Sequence, residues 1–112
     1  MKSISKELIG ASAIPIILSV LKNGDSYGYE IVQKVKELTN GGITWKEASI
    51  YPVLKKLENN GMIESYWKMQ NDERPRKYYT LLDDGGKQLE KNLNEWDLIQ
   101  SVFGALRNPV IS

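Results

Sequence analysis

The chain contains no cysteine and no histidine among its 112 residues. Without cysteine there are no disulfides, no zinc-thiolate sites and no thiol nucleophile, a pattern that fits a reducing compartment. Without histidine there is no imidazole for a Ser/His or Cys/His pair and no His-ligated metal, so the commonest hydrolase and metalloenzyme designs are closed to it. Long apolar runs are also scarce. The longest, "LIGASAIPIILSVL" at residues 8 to 21, has 14 residues, short of the roughly 20 a membrane-spanning helix needs. Lys2 and Lys6 precede it, but Glu7 stands at its edge and no small-residue cleavage pattern follows, so it does not read as a signal peptide. The expectation is a soluble cytoplasmic protein with no membrane partner. Nor is there an excess of charge of one sign: 15 Lys plus Arg face 14 Asp plus Glu.

What is present is ordinary globular material. Hydrophobic residues make up 41% and charged residues 26%, which suits one domain with a single core. Short turn signals at "NGD" (23 to 25), "NGG" (40 to 42), "NNG" (59 to 61) and "QNDERP" (70 to 75) divide the chain. The first segment, about 5 to 22, reads as a helix capped by Ser5, with Pro15 inside it predicting a kink or a late start. The second, "SYGYEIVQKVKEL", reads as an amphipathic helix with Ser26 as N-cap. The third opens on "TWKE", where Thr44 and Glu47 have capping-box spacing, and closes at Gly61. On that helix Ile50, Leu54 and Leu57 fall within an arc of about 60°, leaving Ser49, Pro52, Lys55 and Lys56 on the far side.

From Met62 the period changes to two. "MIESYWKM" and "RKYYTL" read as a hairpin around "QNDE", with Pro75 near the start of the second strand. Of Tyr78 and Tyr79 one must then point inward, and Tyr79 is the expected core residue. The chain returns to helix after Leu82, capped by Asp83 or Asp84. A stripe of Leu89, Leu93, Trp96, Ile99, Phe103 and Leu106 runs to the stop at Asn108-Pro109. The seven-residue spacing of Leu89, Trp96 and Phe103 is that of helix-on-helix packing between two chains.

The predicted fold is mainly α with a two-stranded β wing: a winged helix-turn-helix over 1 to 82, a C-terminal dimerisation helix over 83 to 107, and a tail at 108 to 112. In this arrangement the third helix enters the major groove of DNA and the hairpin lies beside it. Residues 44 to 81 hold seven basic against five acidic residues, while 82 to 112 hold three against five. The positive charge is local, which is what phosphate binding requires. The predicted DNA-facing residues are Lys46, Ser49, Tyr51, Lys55 and Lys56 on the third helix and Arg74, Arg76 and Lys77 on the wing. A charged hairpin edge also protects a strand from unwanted pairing, which is the simpler role for "RPRK" taken alone.

Together "YGYEI" (27 to 31), "ASIYPVLKKLENNGMI" (48 to 63), "RPRKYYTL" (74 to 81) and the late Trp96 resemble the PadR family of bacterial transcriptional regulators. Within it the chain is similar to the small, multidrug-sensing members that have one C-terminal helix. The resemblance implies a homodimeric repressor of double-stranded operator DNA. It also implies that planar aromatic effectors bind between the subunits at paired Trp96 side chains. Leu8, Ala11, Ser12, Ile14, Pro15, Leu93 and Gln100 are the lining residues carried over by position. No motif requires a cofactor or a metal, and no pair of Asp, Glu, Lys or Tyr residues forms a recognised catalytic motif, so no enzyme is expected. The alternative is a winged-helix module that uses the wing and third helix against an acidic protein rather than DNA.

Overall fold

The computed structural model describes residues 4–69, 71 and 74–108. Much of the expected "QNDE" turn and the tail at 109 to 112 lie outside those residues. The order is α1 (Lys6–Lys22), β1 (Ser26–Tyr27), α2 (Gly28–Leu38), α3 (Glu47–Asn59), β2 (Ile63–Lys68), β3 (Arg76–Leu81) and α4 (Asp83–Arg107). This is a winged helix-turn-helix with one long added helix.

α1 begins where its cap directs, since the Leu8 N–H donates to Ser5 Oγ at 3.3 Å. It does not start late. The helix runs through Pro15, whose buried ring packs on the core side together with Ile17, Leu18 and Leu21. The other predicted caps are not used. Ser26 is wholly buried and belongs to β1, and its Oγ donates to Glu30 Oε1 at 2.6 Å, so α2 starts two residues later with Tyr27 as its N-cap. Thr44 Oγ1 donates to the Gly41 carbonyl at 3.2 Å, and Lys46 is the N-cap of α3. Leu82 occupies the N-cap of α4 without a side-chain bond; Asp83 and Asp84 instead lie in the first turn, where their charge complements the helix dipole. α3 ends at Asn59 with Asn60 as its C-cap, and the next residue, Gly61, takes φ 75°, a conformation glycine adopts without steric cost.

The sheet has three strands, not two, in the order β1-β3-β2, with both neighbours antiparallel to β3. β1 pairs Ser26 with Tyr79 and Tyr27 with Tyr78. The extra strand changes the fate of both tyrosines. Tyr79 enters the core as expected, at 4% exposure, but Tyr78 on the opposite face is also buried, at 8%. There it meets Tyr27 edge-on at 5.2 Å and stacks on Tyr66 at 5.8 Å, with Lys68 Nζ 5.2 Å from its ring centre. The Tyr66 hydroxyl donates to Asp25 Oδ2 at 2.7 Å. This bond ties the hairpin to the α1–α2 turn, and chiefly because of it the Tyr66 pKa is pushed up to about 12.

The core joins Ile17, Leu18 and Leu21 of α1, Ile31 and Val32 of α2, Ile50, Leu54 and Leu57 of α3, Ile63, Tyr79, and Leu89 of α4. Leu89, predicted at a dimer interface, is 1% exposed within the single chain. It has no surface left to offer a partner, because the first turns of α4 lie against α1 and the hairpin root. The closest approach is at Gly85, where an added Cβ would sit 2.1 Å from the Met62 carbonyl oxygen. The same oxygen accepts from the Leu82 N–H at 3.0 Å, so the backbone cannot retreat without breaking the junction between hairpin and α4.

Gly85→Ala should therefore destabilise the fold by about 2–3 kcal/mol through overpacking, despite alanine's helix-propensity advantage of about 1 kcal/mol. The expected result is a lower urea midpoint at unchanged m value. The Tyr66 hydroxyl supplies a second prediction. Its folded pKa lies above the usual 10, so its linked stabilisation is present below pH 10 and fades as pH rises towards 12. The stability difference between the wild type and Asp25→Ala should shrink over that window, and absorbance titration should show one phenol moving towards the ordinary range in the variant.

Candidate nucleic-acid interface and interhelical groove

With Ile50, Leu54 and Leu57 buried, α3 turns Ser49, Pro52, Lys55 and Lys56 outward, and all four are exposed. Lys46 stands exposed at the N-terminal end of the helix, and Arg74 is exposed just before β3. Tyr51 is partly seated. Its ring covers Gly28 so closely that a Cβ there would lie 2.9 Å from the ring carbons Cε1 and Cζ. Burial and then the Glu47 carboxylate raise its pKa, while Arg76 acts in the opposite direction. A long hydrogen bond of 3.4 Å runs from its hydroxyl to Glu47 Oε1.

The start of β3 carries two basic residues near this helix, on opposite faces of the strand. Lys77 Nζ is 4.0 Å from Glu58 Oε1 and 5.9 Å from the Tyr79 ring centre. Glu58 also accepts a short hydrogen bond from Ser65 Oγ, so one α3 carboxylate meets both strands of the hairpin. The Arg76 guanidinium lies 4.4 Å from the Tyr27 ring centre. Between α3 and the hairpin is a cleft of about 410 Å³ whose walls include Tyr51, Lys55, Arg76 and Lys77. These four predicted residues converge; Lys46, Ser49, Lys56 and Arg74 stand outside the cleft. Tyr27, Gly28, Glu58 and Trp67 also line it and escaped the sequence reading, because their position depends on strand pairing across distant segments.

A second depression of about 780 Å³ lies among α1, α2 and α4. Ser12, Pro15, Leu93 and Trp96, four of the residues carried over by position, line it. Leu8, Ala11, Ile14 and Gln100 are not on its walls. Ile14 packs against the core, while Leu8, Ala11 and Gln100 are exposed elsewhere on their helices. In their place α2 supplies Val35 and Leu38, and Ile43 closes one side. Leu93 on the groove wall is 42% exposed, and beyond the groove α4 is bare: Ile99, Phe103 and Leu106 are 48%, 56% and 74% exposed. Among the described residues no group of acidic side chains is arranged to hold a metal, and no helix is long and apolar enough to cross a membrane.

Comparison with known proteins agrees with this geometry. Residues 17–91 match the transcriptional regulator PadR-like family. An uncharacterized protein of Lysinibacillus sphaericus is 32% identical over 100 residues, covering 89% of this chain and 92% of that protein. A transcriptional regulator from Clostridium thermocellum has a structure with TM-score 0.80 and 37% identity, covering 90% of this chain and 95% of its own. The negative transcriptional regulator PadR of Bacillus subtilis is 37% identical over 73 residues, 65% of this chain and 40% of that protein. Its structure in complex with operator DNA matches with TM-score 0.66 at 34% identity, over 72% of this chain and 46% of that chain. The present chain thus spans most of the first two relatives and under half of the third. A family match over most of the core, with a shared fold at this level of identity, places the chain in the PadR-like family of transcriptional regulators, which are not enzymes.

Proposed function

We propose that this regulator is a cytoplasmic homodimer that represses transcription by gripping a pseudo-palindromic operator, and that planar aromatic compounds bound near Trp96 release it. The observation that carries the reading is the convergence of Tyr51, Lys55, Arg76 and Lys77 on one cleft between α3 and the hairpin. With α3 in the major groove, Lys46 and Ser49 reach towards base edges, while Lys55, Lys56, Arg74, Arg76 and Lys77 meet phosphates. In this reading 1 to 82 form the DNA-binding unit and 83 to 107 the dimerisation helix.

Dimerisation is supported by shape. The radius of gyration is 16.4 Å, against about 13 Å for a compact chain of this length, because the end of α4 projects with Leu98, Ile99, Val102, Phe103 and Leu106 uncovered. A contiguous apolar face of this kind is usually an interaction surface, and a second copy offers an identical face. The groove beside Trp96, at about 780 Å³, falls in the size range of drug-like ligand sites. Ligand and DNA are then linked only if the ligand favours one spacing of the two hairpins over another.

Fluorescence anisotropy with the DNA upstream of its own gene and a scrambled duplex, at several salt concentrations, tests the core of the reading. Arg76→Ala and Lys77→Ala should weaken binding to both duplexes and each reduce the salt slope by about 1. Substitutions at Ser49 or Lys46 should shift preference between sequences. Equal, weak binding of the wild type to both duplexes would favour the protein-interaction role. Trp96→Ala should lose affinity for a planar aromatic dye by at least ~10-fold, through the loss of two stacking surfaces, while sedimentation still shows a dimer and operator binding persists.

A further inference from the structure

We propose that Trp67 is a direct DNA contact, packing its indole against a deoxyribose of the backbone strand that separates the two grooves. The inference rests on the DNA-binding reading above.

The argument starts from the alternation of β2. Ile63, Ser65 and Trp67 point to one face of the hairpin, opposite Leu81, Tyr79 and Lys77 on β3. Along this face exposure rises from 1% at Ile63 to 68% at Trp67. The root of the face is core; its outer end extends past the cover of α3, whose last reach towards the hairpin is Glu58 against Ser65 and Lys77. Trp67 therefore belongs to the inward-facing row of a hairpin yet is left 68% exposed.

Its surroundings state what chemistry would cover it. The cleft it lines presents Lys55, Arg76 and Lys77 as cations and Tyr51, Pro75 and Trp67 as apolar surfaces. Two carboxylates also line it, and both are engaged, Glu58 by Ser65 and Lys77 and Glu47 by the Tyr51 hydroxyl. A cleft whose walls offer both cationic and apolar side chains suits a chain of phosphates and sugars. Geometry gives the same occupant. If α3 lies in the major groove and the hairpin over the adjoining minor groove, the phosphodiester strand between the grooves must pass through the space between them. Bases remain stacked within an intact duplex, so the surface offered to the indole is the apolar side of a deoxyribose, with the ring N–H free to donate to a phosphate oxygen.

A sugar contact has a signature that no cation shares. It carries no charge, so its loss lowers affinity without changing counterion release, and it reads no base, so the loss is the same on any duplex. Trp67→Ala should weaken binding to operator and scrambled duplex alike by about 10-fold at unchanged salt slope, whereas Lys77→Ala lowers the slope by about 1. Trp67→Phe should retain most of the affinity. Because Trp67 is exposed, thermal unfolding of the alanine variant should match the wild type. Acrylamide quenching supplies a readout independent of any mutational effect on folding: DNA should protect the readily quenched fluorescence that is present in the wild type and missing from Trp67→Phe. Alanine-variant affinity within twofold of wild type, or quenching of that component unchanged by bound DNA, overturns the proposal. A wild type that binds no duplex at low salt would instead overturn the DNA-binding reading itself.

Discussion

The central position of β3 is the constraint on which the rest of the molecule depends. A two-stranded hairpin on its own is marginal in water, and a wing that flexes freely holds its basic residues at no fixed distance from α3. Here β3 is paired on both edges, to β2 along the hairpin and to β1 at Tyr27 and Ser26. Tyr79 anchors one face of it in the core and Tyr78 is enclosed on the other by Tyr27 and Tyr66. Arg76 and Lys77 begin this same strand, so the packing that fixes the tyrosines also fixes where the two cations stand relative to α3. The start of α2 depends on it as well, because β1 ends where that helix begins.

That packing gives a chain with a net charge of only +1 a locally basic cleft, which is what the proposed DNA binding needs. Electrostatic affinity follows the number of phosphates neutralised, not the sum over the chain. The cleft gathers three cations, and the surplus acids lie in the C-terminal third. Lys77 is paired with Glu58 in the free protein, at 4.0 Å with both side chains partly exposed. Such a pair is worth little, about 0–1 kcal/mol, so exchanging it for a phosphate costs little. Its larger effect is geometric: Glu58 holds Lys77 and Ser65 together on the side of the hairpin that faces the cleft.

Much of this architecture was legible because the patterns are local. The burial of Ile50, Leu54 and Leu57, the alternation from Ile63 to Met69, the Ser5 cap and the long stripe on α4 all follow from periodicities that a few neighbouring residues determine. The failures share a cause. Ser26 and Thr44 carry good capping side chains, but Ser26 is claimed by a strand pairing 53 residues away, and nothing within reach of Ser26 in sequence announces it. Tyr78 was expected to face outward because alternation alone says so; a third strand and two aromatic neighbours enclose it. Leu89 fits a heptad with Trp96 and Phe103, yet the first turns of α4 are held against the core by the Gly85 approach to Met62, so the stripe changes partner partway along the helix. The groove walls missed by position include those contributed by α2 and by Ile43 beyond it, which meet α1 only through tertiary packing, and Ile16, Ser19 and Val20 on α1 itself.

The same tertiary contacts determine how the groove and the cleft can influence each other. They share no lining side chain, so within one chain a shift at the groove reaches the cleft through elements that extend to both. α2 is the most direct, with Gly28 and Tyr29 on the cleft and Val35 and Leu38 on the groove. α1 is another. Asn23, at its C-terminal end, lines the groove, and two residues later Asp25 accepts the Tyr66 hydroxyl at 2.7 Å, on the strand that also carries Trp67. α4 is a third, lining the groove at Leu93 and Trp96 and resting on the α3–β2 corner at Gly85. The turn after α1 meets the hairpin at its outer face and α4 meets it at its root. Were an effector of the proposed kind to displace α1 against α4, the movement would act on the hairpin at two separated points.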